Sequence, residues 1–256
     1  MASPRGARGD RGARAAASRP PASDARVDVS TSHPRDAHGE RYLATVDRLL
    51  RSQAWRERGA AELFEAALPL VPAGRWRAIV AGHVREERAH YARVVEVWST
   101  ATGGAPAELD AWVTARLVAQ PLPRVASFLE LGMAQFLFDR AGRWQISEYL
   151  TSSFLPYRAL AHAIVDEERG HEDVGARLVV ELCAAPGVDR AAAQAAFDRW
   201  LGIALLSFGR ASGDGNAFAI AAGLKMRDSG EVTRAFLGEI APTVRTAGLV
   251  FPGQAP

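Results

Sequence analysis

Two tetrapeptides, Glu87-Arg88-Ala89-His90 and Glu168-Arg169-Gly170-His171, constrain this chain more than any other feature. Each places a carboxylate and an imidazole three residues apart in a segment with helical patterning. Residues three apart on a helix lie on one face, about a turn apart, so each pair can reach one metal ion. A single Glu-x-x-His arises easily by chance. Two of them carry weight only if further carboxylates stand at the same height on neighbouring helices.

The apolar periodicity from Arg41 onward is helical, and no alternating strand pattern competes with it. It predicts helix A over 40–69, closed by Pro69, Pro72 and Gly74, and helix B over 73–100, stopped at Gly103-Gly104. A short helix is expected over 107–119, ahead of Pro121 and Pro123. Helix C then covers 124–152, and Pro156 starts helix D, which runs to 184, where Pro186-Gly187 ends it. Further helical segments fill 189–209 and 230–247. Short loops make A/B and C/D antiparallel hairpins, and two hairpins form a four-helix bundle. The expected class is therefore all-α: a ferritin-like four-helix bundle with extra C-terminal helices, occupying residues 39–253. Residues 1–38, rich in Arg, Ala, Ser, Pro and Gly and without apolar periodicity, are expected to form a disordered tail.

Hairpin register supplies the missing carboxylates. Glu87 lies fifteen residues beyond Pro72, about 22 Å along the helix at 1.5 Å per residue, and fifteen residues before Pro72 stands Glu57. On the second hairpin, Glu168 is the same distance from the turn near Ser153, and its counterpart is Asp139. The spacings are 30 residues from Glu57 to Glu87 and 29 from Asp139 to Glu168. Across the halves, Glu57 to Asp139 is 82, Glu87 to Glu168 is 81, and His90 to His171 is 81. Glu57 shares the face of Val46, Leu50, Ala54, Ala61, Phe64 and Leu68, whereas its rival Glu62 sides with Arg51, Trp55, Arg58 and Glu65. Asp139 aligns with Phe128, Gly132, Phe136 and Ile146, and its rivals Glu130 and Glu148 stand nine residues off this height.

Each of these acidic residues falls among apolar neighbours: Val80, Val84 and Val94 around Glu87, and Leu160, Ile164 and Val179 around Glu168. Burying such charges without a counter-charge costs several kcal/mol per ion, and two cations remove that cost. The expected metal ligands are Glu57, Glu87, His90, Asp139, Glu168 and His171. A mixed carboxylate and imidazole set suits Fe or Mn. With Cys183 the only cysteine, a disulfide framework is excluded and thiolate or iron–sulfur ligation is disfavoured. His83, one turn before Glu87, suits a supporting role or an ordinary buried histidine.

Composition narrows the function classes. Residues 1–36 carry seven Arg and four Asp, a net of +3 against +2 for the whole chain, so the body is about −1 and offers no basic surface for nucleic acid. No run of eighteen apolar residues suggests a membrane span, and no secretory signal pattern opens the sequence. The expectation is a cytoplasmic protein with neither nucleic-acid nor membrane partner. No flavin or nicotinamide fingerprint is present, so a redox reaction here draws electrons from elsewhere.

The segment from Phe138-Asp139 through Ser153-Phe154-Leu155-Pro156-Tyr157 to Glu167-Glu168-Arg169-Gly170-His171 resembles the catalytic subunit family of ring-1,2-phenylacetyl-CoA epoxidase, and more distantly benzoyl-CoA epoxidase. Its pattern there is Asp…Ser-Tyr-Gly-Pro-Tyr…Glu-Glu-x-x-His. Val71-Pro72 to Glu86-Glu87-Arg88-Ala89-His90 resembles the family's Ala-Pro…Asp-Glu-Ala-Gly-His. Arg199-Trp200, Ser207-Phe208-Gly209, Asp214, Lys225, Phe236, Pro242 and Leu249-Val250-Phe251-Pro252 extend the likeness over residues 41–253. The chain departs from the family around Glu57-Arg58-Gly59-Ala60-Ala61 and at His83, where the family has Lys.

The resemblance implies a non-haem di-iron oxygenase. Glu57, Glu87, Asp139 and Glu168 would serve as terminal or bridging ligands to two Fe ions, with His90 and His171 one per iron. O2 would be the co-substrate, and one oxygen atom would pass to an aromatic or unsaturated acyl-CoA-type substrate. Electrons would come from NAD(P)H through a separate reductase, and a homologous, ligand-free subunit would be the structural partner. A ferroxidase or Mn-catalase-type protein, a non-catalytic sister subunit, a tRNA hydroxylase, and an oxygenase acting on a non-CoA substrate remain open alternatives.

Overall fold

A computed structural model describes residues 34–210 and 213–253; the side chains of residues 34–37, 169, 171 and 172 are outside that description. The anticipated tail, residues 1–33, also lies outside it. All regular structure among the described residues is helical. In order, the elements are α1 (Pro34–Ala67), a short 3-10 turn (Leu68–Leu70), α2 (Arg75–Thr102) and α3 (Pro106–Ala119). These are followed by α4 (Phe128–Ala134), a π-helical turn (Gln135–Asp139), α5 (Arg140–Ser147), α6 (Leu155–Ala184), α7 (Arg190–Ser207), α8 (Asp214–Ala221) and α9 (Ser229–Thr246). Helices α1 and α2 form the first expected hairpin. The second pairs the α4–π–α5 rod with α6. The all-α class and a bundle of the ferritin-like kind are thus realised.

Three boundaries differ from the sequence expectation, each for a local reason. Helix α1 begins at Pro34 and kinks at Gly39, whose φ of 54° only glycine adopts readily. The third bundle helix starts at Phe128 rather than 124, because Ser127 Oγ accepts the Glu130 N–H while the Glu130 carboxylate accepts the Ala126 N–H. It ends at Ser147 rather than 152. There the buried Glu148 turns to accept the Arg227 backbone N–H at 2.8 Å and Nε at 2.9 Å, tying the chain end of the rod to the loop before α9. Helix α8 was not expected from its Gly- and Asp-rich start; Phe218 anchors it on α1 through the ring of His38 and the guanidinium of Arg41.

Apolar packing falls into two clusters. One gathers Phe64, Val84, Phe136, Val179, Trp200 and Phe236, and the other Leu50, Val94, Trp98, Tyr157 and Ile164. On three bundle helices the change from one cluster to the other brackets an acidic residue, Ala54 and Ala60 around Glu57, Val84 and Val94 around Glu87, Val165 and Val179 around Glu168; on the third helix it follows Asp139, between Ala141 and Ile146. A polar layer therefore crosses the bundle at one height.

The π-helical turn carries Asp139 into that layer. An extra residue in one helical turn interrupts the regular ladder, and such turns favour functional positions. Helix α6 packs against it through Gly175. A Cβ at that position would lie 2.7 Å from Phe136 N, 2.8 Å from Gln135 C and 2.9 Å from Phe136 Cα, all backbone atoms. Gly175→Ala is expected to push the π turn off α6 and destabilise the protein by about 1–3 kcal/mol. A lower urea midpoint at unchanged m-value is the expected signature; an unchanged midpoint would contradict this packing.

Candidate metal centre

Glu57 of α1, Glu87 and His90 of α2, Asp139 of the π turn and Glu168 of α6 converge, and all five are buried. Ligand atoms of Glu57, Glu87 and His90 lie within 4.8 Å of one another, and so do those of Glu87, Asp139 and Glu168. Glu87 belongs to both groups. His171 stands on α6 three residues after Glu168, but its side chain is outside the described set. Together with Phe138, Ile146 and Ile164, the acidic residues line a cavity of ≈ 40 Å³, room for small ions or water rather than for an organic molecule.

His90 organises the first group. Its Nδ1 faces Glu57 Oε2 at 3.3 Å, Glu168 Oε1 at 3.4 Å and Glu87 Oε2 at 3.9 Å, yet makes no hydrogen bond. Its Nε2 is 2.9 Å from Glu167 Oε2, and Glu167 is in turn gripped by Arg93, with Nη1 donating to Oε1 at 3.0 Å. The outer nitrogen is thus fixed by a carboxylate and the inner nitrogen aimed at three more. Gln53 Nε2 donates to Glu57 Oε1 one turn along α1, and Tyr157 Oη donates to Gln53 Oε1 at 3.3 Å.

Titration behaviour shows how strongly the carboxylates feel one another. Burial, followed by the charges of Glu168, Glu57 and Asp139, pushes Glu87 well above the usual carboxylate range. Burial also opposes ionisation of Glu57, but the close approach of His90 Nδ1 at 3.3 Å and the attraction to it prevail and lower it. Burial would depress His90; the close approach and charge of Glu57, with Glu168 and Glu167 behind, instead raise it to about 9. Glu167 falls to about 2, chiefly through its hydrogen bond to Arg93. Without metal, protons on His90 and Glu87 moderate the repulsion.

The donor set fits metal binding. It offers hard carboxylate oxygens and an imidazole nitrogen, with no thiolate, which suits Fe or Mn. The unbonded, fully buried Nδ1 of His90 points where an ion shared with Glu57 and Glu87 would sit. Glu62 stands outside, half exposed and paired with Arg58 at 2.9 Å, and Glu65 pairs with Arg88. Glu130 bonds Arg199 at 2.8 Å, and Glu148 serves the Arg227 anchor. His83 is buried and contacts Gln135 Nε2 through Nδ1 at 2.7 Å, outside both groups.

Sequence reasoning missed Gln53, Glu167 and Arg93. Gln53 was findable, being four residues from Glu57 on the same helical face. Glu167, next to Glu168 and so turned about a quarter-circle away, gave no sign that it reaches across to His90. Also missed was Glu239 of α9, which accepts Arg143 Nη2 at 3.0 Å and hydrogen bonds from Arg140 and Trp144, fastening α9 to α5 behind the cavity.

A helical bundle crossed by a buried layer of carboxylates and imidazole defines a ferritin-like protein whose core could hold a metal. The chain belongs to the phenylacetic acid catabolic protein family, whose model matches residues 56–256. No curated protein matches it. Among the described residues no helix is long and apolar enough to cross a membrane.

In the metal-free protein, NMR titration of the His90 ring is expected to give a pKa near 9, falling toward 6.5 in Glu57→Gln. Because the folded pKa is raised, the stability this group contributes is present in full below about 6.5 and is lost as pH rises through about 9. A His90 pKa unmoved by Glu57→Gln would contradict the assigned coupling.

Proposed function

We propose that the protein is a non-haem di-iron oxygenase that inserts one oxygen atom from O2 into an aromatic or unsaturated acyl-CoA-type substrate. The observation that carries this reading is the pair of three-residue clusters sharing Glu87 inside the bundle. Its family supports a place in phenylacetate catabolism. Glu57, Glu87, His90, Asp139, Glu168 and His171 would hold two iron ions, Glu87 being common to both groups. When bound, iron would supply O2 activation, drawing two electrons from NAD(P)H through a separate reductase.

The chain's own residues prepare that chemistry. Four carboxylates bring charge that balances two ferrous ions, which hydrophobic walls alone could not do. Glu167 holds His90 in one orientation from outside, and Gln53 does the same for Glu57, so the donors stay in place when metal arrives. Phe138, Ile146, Ile164 and Ala60 give the small cavity its apolar wall.

A groove of ≈ 990 Å³ meets that cavity, sharing Arg56, Phe138 and Ser207 with it. Storage or oxidation of iron alone has no need of such a groove, and this supports an organic substrate over a ferroxidase. The partners in this reading are the reductase and a homologous, ligand-free structural subunit.

Anaerobic loading with ferrous iron and metal counting test the centre. Two irons per chain are expected for wild type and for Glu62→Ala, with at least a tenfold loss of affinity in Glu87→Ala. One iron or none in the wild type, or full loading of Glu87→Ala, would exclude the shared-ligand centre. Turnover of phenylacetyl-CoA with reductase supply should then give an oxygenated product; O2 uptake with no organic product would place the protein among the ferroxidases.

A further inference from the structure

Arg56 stands in the wall between the groove and the ligand-lined cavity, and it is a guanidinium with almost nothing to hold. Its Nε is closed off from solvent and has no hydrogen-bond partner. Its Nη2 reaches the Ser207 carbonyl only at 3.5 Å, an oxygen that Gln145 Nε2 already occupies at 2.7 Å. Among the described residues no carboxylate lies within ion-pair distance of it. The neighbouring Trp55 Nε1 is likewise buried and unbonded on the same groove wall.

Arg56 is only partly buried and feels the charge of Glu57, yet its enclosed Nε is an unsatisfied donor, which is costly to keep. A chain that keeps one at the junction of two cavities has a use for its donors. The planar fork of Arg suits an oxygen acceptor that arrives with the ligand.

The remaining groove charges lie farther out. Arg48, Arg51 and Arg116 line it, with Asp47 the one carboxylate in the lining, and Asp47 is taken by Arg51 at 2.8 Å and by Trp98 Nε1 at 2.7 Å. A distal anionic portion of a ligand would therefore lie along the outer groove. What reaches Arg56 is the polar group next to the reacting carbons.

We infer that Arg56 is a positioning residue that grips an acyl oxygen of the organic substrate at the neck between groove and metal cavity. The inference rests on the oxygenase reading above. By fixing the acyl oxygen, Arg56 sets how far the unsaturated part extends past Phe138 toward Glu57, Glu87, Asp139 and Glu168. The oxygen belongs either to a thioester carbonyl or to a free carboxylate.

The test is a binding comparison under anaerobic conditions with iron-loaded protein, read by titration calorimetry. Three probes are used: phenylacetyl-CoA, its thioether S-(2-phenylethyl)-CoA, which lacks only the carbonyl oxygen, and phenylacetate. Wild type is expected to prefer thioester over thioether by about 10- to 100-fold, the range for a hydrogen bond to a charged group. Arg56→Met should erase that preference while leaving thioether affinity within about threefold, and Arg56→Lys should restore part of it. Binding of phenylacetate that Arg56→Met weakens similarly would assign the oxygen to a carboxylate.

A thioester preference unchanged in an Arg56→Met protein that still loads two irons overturns the inference and leaves the oxygenase reading intact. Equal loss for thioester and thioether would mark Arg56 as merely structural, which also overturns it. If wild type binds none of the three probes, the acyl-substrate reading falls, and the role of Arg56 with it.

Discussion

Four carboxylates at one height inside a helical bundle set the terms for everything around them. Burial first, and then the charges of Glu168, Glu57 and Asp139, drive Glu87 far above its ordinary range. Among the described residues it is the buried imidazole of His90 that answers them, its inner nitrogen facing three of the acidic side chains. A site assembled this way calls for protons or cations in it, and each of the two groupings around Glu87 could hold a cation.

The apolar core is organised by the same constraint. It is split into two clusters, and the acidic residues lie at or next to the seam where all four bundle helices pass from one to the other. The helices after the bundle hold the seam shut from outside. Glu239 of α9 clamps α5, and Arg227 before α9 takes Glu148 at the end of the same rod. The C-terminal helices thus act on the site mainly through α5, and α7 adds Ser207 to the cavity wall.

Much of this could be read from the sequence because helices have a fixed rise and a fixed face. Counting fifteen residues either side of Pro72 found Glu57, and the same count about Ser153 found Asp139; the structure brings both into the cluster with Glu87, His90 and Glu168. The count tolerated the π turn because that irregularity ends at Asp139 itself. What escaped was whatever depends on side-chain reach across helices or on loop geometry. Glu167 crossing to His90, Glu239 reaching back to α5, and the early end of the third helix at Glu148 all require knowing where a distant segment lies. Helix α8 escaped because eight residues opening on glycine and aspartate carry too little periodicity. The site has two levels accordingly, a ligand layer written in spacing and a supporting layer written in tertiary contact.

The central claim is that Glu87 joins two metal positions, one sharing Glu57 and His90 and the other sharing Asp139 and Glu168. Anomalous diffraction at the iron edge, from crystals loaded anaerobically with ferrous ion, tests it directly. Two peaks flanking the Glu87 carboxylate, one of them on His90 Nδ1, are the expected result. A single peak, or iron held only by exposed acidic residues such as Glu62 and Glu65, would contradict the account.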